Sequence, residues 1–177
     1  MLVAAHALHA GDLLRYERMA VETGQAWRLL TANLVHVDTP HLVMNLLGWI
    51  LVTVLFARSL GPIAQLGTLF VSGAFVGVGI HFLSASVDWY AGLSGALHGL
   101  FAAGALRQST QPGSRAAAYL MLCGLSLKLL AERHLDFSFA AGSIMTAPVV
   151  VDAHLYGAAG GVAVGAMYLA RNHWRSA

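Results

Sequence analysis

Four stretches of this chain contain no Asp, Glu, Lys or Arg: residues 39–57, 59–87, 89–106 and 153–170. An apolar helix needs ~20 residues to cross the hydrocarbon of a bilayer, and each stretch approaches or exceeds that length. Only 10% of the residues are charged and the mean hydropathy is +0.67, whereas an average soluble domain carries roughly 25% charged residues. The chain therefore reads as an all-α polytopic membrane protein. A fifth uncharged run, 116–127, is short and reaches crossing length when Lys128 snorkels to an interface.

Five spans are expected near 40–57, 62–83, 93–109, 115–132 and 152–171, within one domain covering 1–177. Residues 1–35 read as an N-terminal interfacial segment with a short apolar stub, and 36–171 as the helical core. The stretch "GDLLRYERMAVETG" carries five charges and cannot span, and the start lacks the pattern of a cleaved secretory signal. Turns are marked by Gly61-Pro62 and Pro112-Gly113. The apolar segment 134–150, broken by Gly142 and Pro148, suits a loop that dips into the bilayer or caps a cavity.

Arginine placement orients the spans. Arg58, Arg107, Arg115, Arg171 and Arg175 share one side, and Asp38, Asp88, Asp136 and Asp152 the other, with Lys128, Glu132 and Arg133 near it. Basic loops stay in the cytoplasm, so the acidic side faces out. A net charge of +2 with dispersed basic residues makes nucleic acid an unexpected partner. The single Cys123 excludes an internal disulfide.

Against this apolar background a few polar residues stand out, because polar groups in a bilayer are costly and mark function. Ser94, in Gly92-Leu93-Ser94-Gly95, falls at the start of a helix, where unsatisfied N–H groups and the helix dipole favour a developing oxyanion. Taken alone, such a serine is better explained by capping and packing. His154 begins a ridge of small residues, Ala153, Gly157, Gly161 and Gly165, whose spacing of four lets another backbone approach closely. If that ridge packs on Gly95 and Gly99, His154 reaches Ser94 as a general base, with no carboxylate obviously required. His41 and Asn45, four residues apart on one helix face, suit an oxyanion hole, although interhelical hydrogen bonding accounts for Asn45 equally well. Three helices thus carry polar groups at similar depth on the acidic side, and a serine hydrolase site explains them together. A metal or haem site using His41, His98 and His154 is the alternative. No carboxylate or thiol joins these three at ligand spacing, and no cofactor or metal is expected.

The strings "AWRLLTANLVHVDTPHLVMNLLGW", "GLSG" and "AHLYGAAGG", in this order, resemble the rhomboid intramembrane serine proteases. The resemblance implies Ser94 as nucleophile, His154 as its base, and His41, Asn45 and the Ser94 N–H as oxyanion donors. His36, with Trp27 and Arg28, would serve the first loop in mostly structural roles, and Gly92 would leave room for substrate. Most rhomboids have an aromatic residue four positions after the serine, where His98 stands here. The string "GLSGALHG" and the small size are similar to the rhombosortase branch. That branch implies substrates ending in a Gly-Gly motif, an apolar helix and a basic tail, at the inner membrane of a Gram-negative bacterium with the site opening to the periplasm. The family core has six helices, one more than expected here. A rhomboid-like protein that binds membrane helices without cleaving them is the remaining reading.

Overall fold

The computed structural model describes residues 11–135 and 149–176. The N-terminal stub and nearly all of the 134–150 loop lie outside the described residues. Five long helices carry the fold: α1 (Thr39–Leu55), α2 (Pro62–Leu83), α3 (Ser94–Gln108), α4 (Arg115–His134) and α5 (Val151–Ser176). Their limits follow local chemistry. Asp38 caps α1 by accepting from the His41 N–H at 2.8 Å, with Pro40 in the first turn, and Pro62 opens α2 with its fixed φ where no N–H is needed. Gln65 donates to the Thr53 and Leu60 carbonyls at 3.2 and 2.9 Å, which folds the α1–α2 turn back on itself.

Among the described residues, two helices qualify by length and composition to cross a membrane, Pro62–Leu83 and Pro112–His134. A third qualifies if Arg28–Leu34 and Thr39–Leu55, bent by 89°, form one span. Helix α3 has 15 residues, about 22 Å at 1.5 Å per residue, less than the ~30 Å of hydrocarbon. Helix α5 is long enough, but its glycines, His154 and tyrosines dilute its apolarity. Helix α3 is enclosed by its neighbours, and an enclosed helix can be short and glycine-rich because protein replaces lipid around it, whereas α5 packs its glycine face inward and leaves Leu155, Val162 and Met167 exposed. Most of α3 is buried, including Gly95, Ala96, Leu100 and Ala103.

The α3–α5 contact is made backbone to backbone. A Cβ on Gly157 would run into the Gly95 carbonyl, and one on Gly161 into the Gly99 carbonyl. A Cβ on Gly95 would in turn lie 2.6 Å from the Ala153 oxygen. The small-residue face of α2 serves a different partner from a long helix. A Cβ on Gly77 would strike the Leu29 carbonyl, and Asn33 donates to the Gly73 carbonyl at 3.3 Å.

Residues 11–35 are therefore more than an interfacial strip. Short helices at Gly11–Leu14, Arg18–Glu22 and Arg28–Thr31 pack on the outer ends of α2 and α3. A two-residue strand β1 (Tyr16–Glu17) pairs antiparallel with β2 (Trp89–Tyr90), a small departure from an all-helical chain. Arg18 donates to the carbonyls of Ile80, His81, Ser84 and Val87 at 2.8–3.2 Å, satisfying the C-terminal carbonyls that every helix leaves open. Arg28, buried, donates to the Asp12 and Arg15 carbonyls and to Gln25, a structural role. Trp27 is exposed. The outer core joins Tyr16, Ala32, Val76, Ile80, Tyr90 and Ala153, and the inner core forms around Phe56, Leu60, Leu100 and Ala103.

Candidate active site

Helices α1, α3 and α5 all begin at the acidic side, which brings His41, Ser94 and His154 to the same end of the bundle. The close approach at Gly95–Gly157 sets the distance between the last two. Ser94 Oγ lies 3.0 Å from His154 Nε2, and His154 is buried. The site residues line a cleft of about 780 Å³ between α1 and α4. It holds His41, Asn45, Ser94, His98 and His154, and its apolar lining includes Met44, Val52, Phe101, Met121 and Leu125.

The turn before Ser94 is fixed from several sides. Gly92 has φ +141°, where a side chain is strained, and a Cβ there would lie 2.7 Å from His41 Cε1. The Gly92 N–H donates to the Ala32 carbonyl at 3.0 Å, and the Tyr90 hydroxyl donates to the Gly92 carbonyl at 2.6 Å. Burial pushes the Tyr90 phenol up from its usual range, only partly offset by the Gly95 N–H and the Ser94 hydroxyl beside it, so it stays a neutral donor. Tyr90 carries no motif, and sequence reasoning passes over it.

His41 and Asn45 line the same cleft as Ser94. His41 Nδ1 is buried without a hydrogen-bond partner, while the Asn45 amide nitrogen donates to the His41 carbonyl one turn back at 2.9 Å. Of the two amide hydrogens of Asn45, one is therefore committed to its own helix. His36 is buried and packs edge-to-face on His41, with ring centroids 5.1 Å apart. It buttresses the His41 ring.

His98 stacks on His154 with centroids 4.1 Å apart and planes 16° from parallel. Its Nδ1 lies 2.7 Å from the Ser94 carbonyl; a carbonyl can only accept, so Nδ1 carries the proton. His98 thus occupies the stacking position on His154 and ties it to the Ser94 backbone.

One residue was missed as a site member. Glu132 sits near the end of α4 with its side chain almost wholly buried, and its Oε2 lies 3.0 Å from His154 Nδ1. Its Oε1 accepts from Lys128 Nζ at 2.6 Å. The expectation that no carboxylate joins the histidines is corrected here. Ligand atoms of His98, Glu132 and His154 lie within 4.8 Å of one another, while His41 stays outside that group. The only sequence signal for Glu132 is an acidic residue one turn from a lysine at the end of an apolar helix, which is also how an exposed pair looks.

In comparisons with known proteins, the family model described as Rhomboid domain matches residues 23–171. The match takes in every residue that lines the cleft. No curated protein matches the chain.

Proposed function

The chain belongs to the rhomboid family, a family of intramembrane proteases, and we propose that it cleaves membrane-anchored proteins near the outer face of the bilayer by a Ser94–His154 serine mechanism. The observation that carries this reading is the 3.0 Å approach of Ser94 Oγ to His154 Nε2 at the head of an apolar cleft. His154 Nε2 takes the Ser94 proton as Oγ attacks a substrate carbonyl. The oxyanion is met by the Ser94 N–H, free at the first helical position, with His41 and the uncommitted hydrogen of Asn45. One such donor is worth about 10²–10³ in rate. His154 then protonates the departing amine as the C–N bond breaks. Water from the outer side, deprotonated by His154, hydrolyses the acyl ester and frees Ser94.

The access route follows from the cleft. A single apolar helix enters between α1 and α4 and must unwind at the site, since helical carbonyls are already bonded and out of reach. Glycine lowers the cost of unwinding by about 1 kcal/mol per residue. This supports the rhombosortase-like substrate, a C-terminal Gly-Gly motif followed by an apolar helix and a basic tail. All five helices then lie in an inner membrane with the arginine-rich side in the cytoplasm and the site toward the periplasm. Because α3 is short, Ser94 begins below the membrane surface. Co-expression with a reporter ending in Gly-Gly, an apolar helix and a basic tail tests this: cleavage by the native chain and none by Ser94→Ala is expected. Cleavage only of a single-span reporter without Gly-Gly would leave a general rhomboid protease. Unchanged processing by Ser94→Ala would leave a helix-binding protein.

A metal-dependent hydrolase is the second reading, favoured by the His98–Glu132–His154 grouping. Near-parallel stacked rings keep their in-plane lone pairs in separate planes, however, and cannot converge on one ion until a ring turns. Both nitrogens of His154 also already face partners. Cleavage that survives chelator treatment is expected; activity lost to chelator and restored by zinc would reverse the order of the two readings.

A further inference from the structure

Helix α4 differs from its neighbours in how it is held. Of its 20 residues only Ala118 and Glu132 are buried. The 780 Å³ cleft lies on one side of it, and a second cavity of about 360 Å³, lined by Ser126, Leu130, Val151 and Leu155, separates it from α5 on the other. Its inner half packs through Met121 and Leu122 on the inner core. Its outer half reaches α5 by polar contacts: Glu132 to His154 at 3.0 Å, and Arg133 Nη1 to Asp152 Oδ1 at 2.7 Å. The Asp152 end is anchored in turn, since Ser84 donates to Asp152 Oδ2 at 2.6 Å.

Resting on the serine mechanism above, we infer that Glu132 is a positioning residue for His154, delivered by α4, so that the seating of this helix completes the catalytic group. A carboxylate accepts, so Glu132 holds the proton of His154 on Nδ1 and leaves Nε2 as the acceptor that Ser94 needs. Lys128 Nζ, on the other carboxylate oxygen, holds Glu132 from its far side at 2.6 Å. Because the carboxylate rides on the helix bordering the substrate route, displacing α4 outward to admit a substrate helix withdraws Oε2 from Nδ1. Reseating restores it. Hydrolytic competence is thereby tied to a closed cleft. His98 holds the opposite face of the ring but offers no acceptor to Nδ1, so the two supports are not interchangeable.

Full-length protein in lipid vesicles, with a fluorogenic single-span substrate, tests the role. Glu132→Gln is expected to lower kcat by about tenfold or more with KM within about twofold, since the lost interaction orients the base without touching substrate. Glu132→Asp recovers part of the loss. Arg133→Ala removes the second tie of α4 without contacting His154, and is expected to lower kcat about threefold in the native chain and to add nothing in Glu132→Gln, because both act through one element. Native kcat in Glu132→Gln, alongside a dead Ser94→Ala, would overturn the positioning role and leave the protease reading intact. Equal effects of Arg133→Ala in both backgrounds would overturn the coupling to α4. Full activity in Ser94→Ala would remove the mechanism on which the inference rests.

Discussion

The α3–α5 seam and the α1–α4 cleft lie within one small bundle and are built on opposite terms. At the seam, glycines bring carbonyls against Cα atoms with no room for a methyl group. Across the cleft, a Cβ on Gly124 would meet nothing within 4 Å. Ser94 and His154 both stand on the seam, where backbone packing fixes their separation. In the proposed mechanism substrate passage falls to the cleft, where side chains can move. Tight packing gives geometry and loose packing gives access, and the two regions meet at Ser94 and His154, the latter approached from α4 by Glu132.

Breaking the seam has the largest expected effect. Gly157→Val places atoms against the Gly95 carbonyl, which is backbone and cannot swing away. Stability is expected to fall by about 3 kcal/mol, the upper end for overpacking, with proteolysis lost; denaturant unfolding in detergent and a cleavage assay read both. The contrasting substitution in the cleft is Gly124→Leu. It leaves stability unchanged or improves it by about 0.8 kcal/mol through helix propensity. It narrows the substrate path, so KM for a helical substrate is expected to rise about tenfold, or 1.4 kcal/mol, while labelling of Ser94 by a small fluorophosphonate keeps its rate. Equal loss of both would mean that position 124 supports the site rather than the path.

Tyr90→Phe touches the turn that presents Ser94. It deletes the 2.6 Å bond to the Gly92 carbonyl and leaves a buried acceptor unmet, a loss of about 1 kcal/mol visible in the unfolding midpoint. The smallest effect belongs to the lipid face. Leu120, 74% exposed in α4, is expected to tolerate Ala within about 0.5 kcal/mol, and a larger loss would show that α4 packs on a partner there.

The same contrast explains what was legible in the sequence. Helix limits could be read to within about two residues, except at the end of α5, because charges and prolines punctuate an otherwise apolar chain. The glycine spacing of the seam was visible for the same reason, since small residues four apart define a face whatever the partner. Glu132 was not visible as a site member, because its role depends on which way α4 turns, and α4 carries no glycine ridge to fix that. Asn45 was legible as a cleft residue but not as one whose amide is half committed to its own helix. The packing of the N-terminal segment was not legible, because Arg18 and Arg28 donate to part-buried backbone carbonyls that no spacing announces, and the two-residue strand pair is too short to show any period.

The central claim is that Ser94 is a nucleophile made so by His154. It is met most directly by treating the purified protein in lipid with a fluorophosphonate and mapping the adduct by mass spectrometry. A single adduct on Ser94, absent from His154→Ala and retained in Gly124→Leu, is the expected result. An adduct on another residue, or one on Ser94 formed at the same rate without His154, would contradict it.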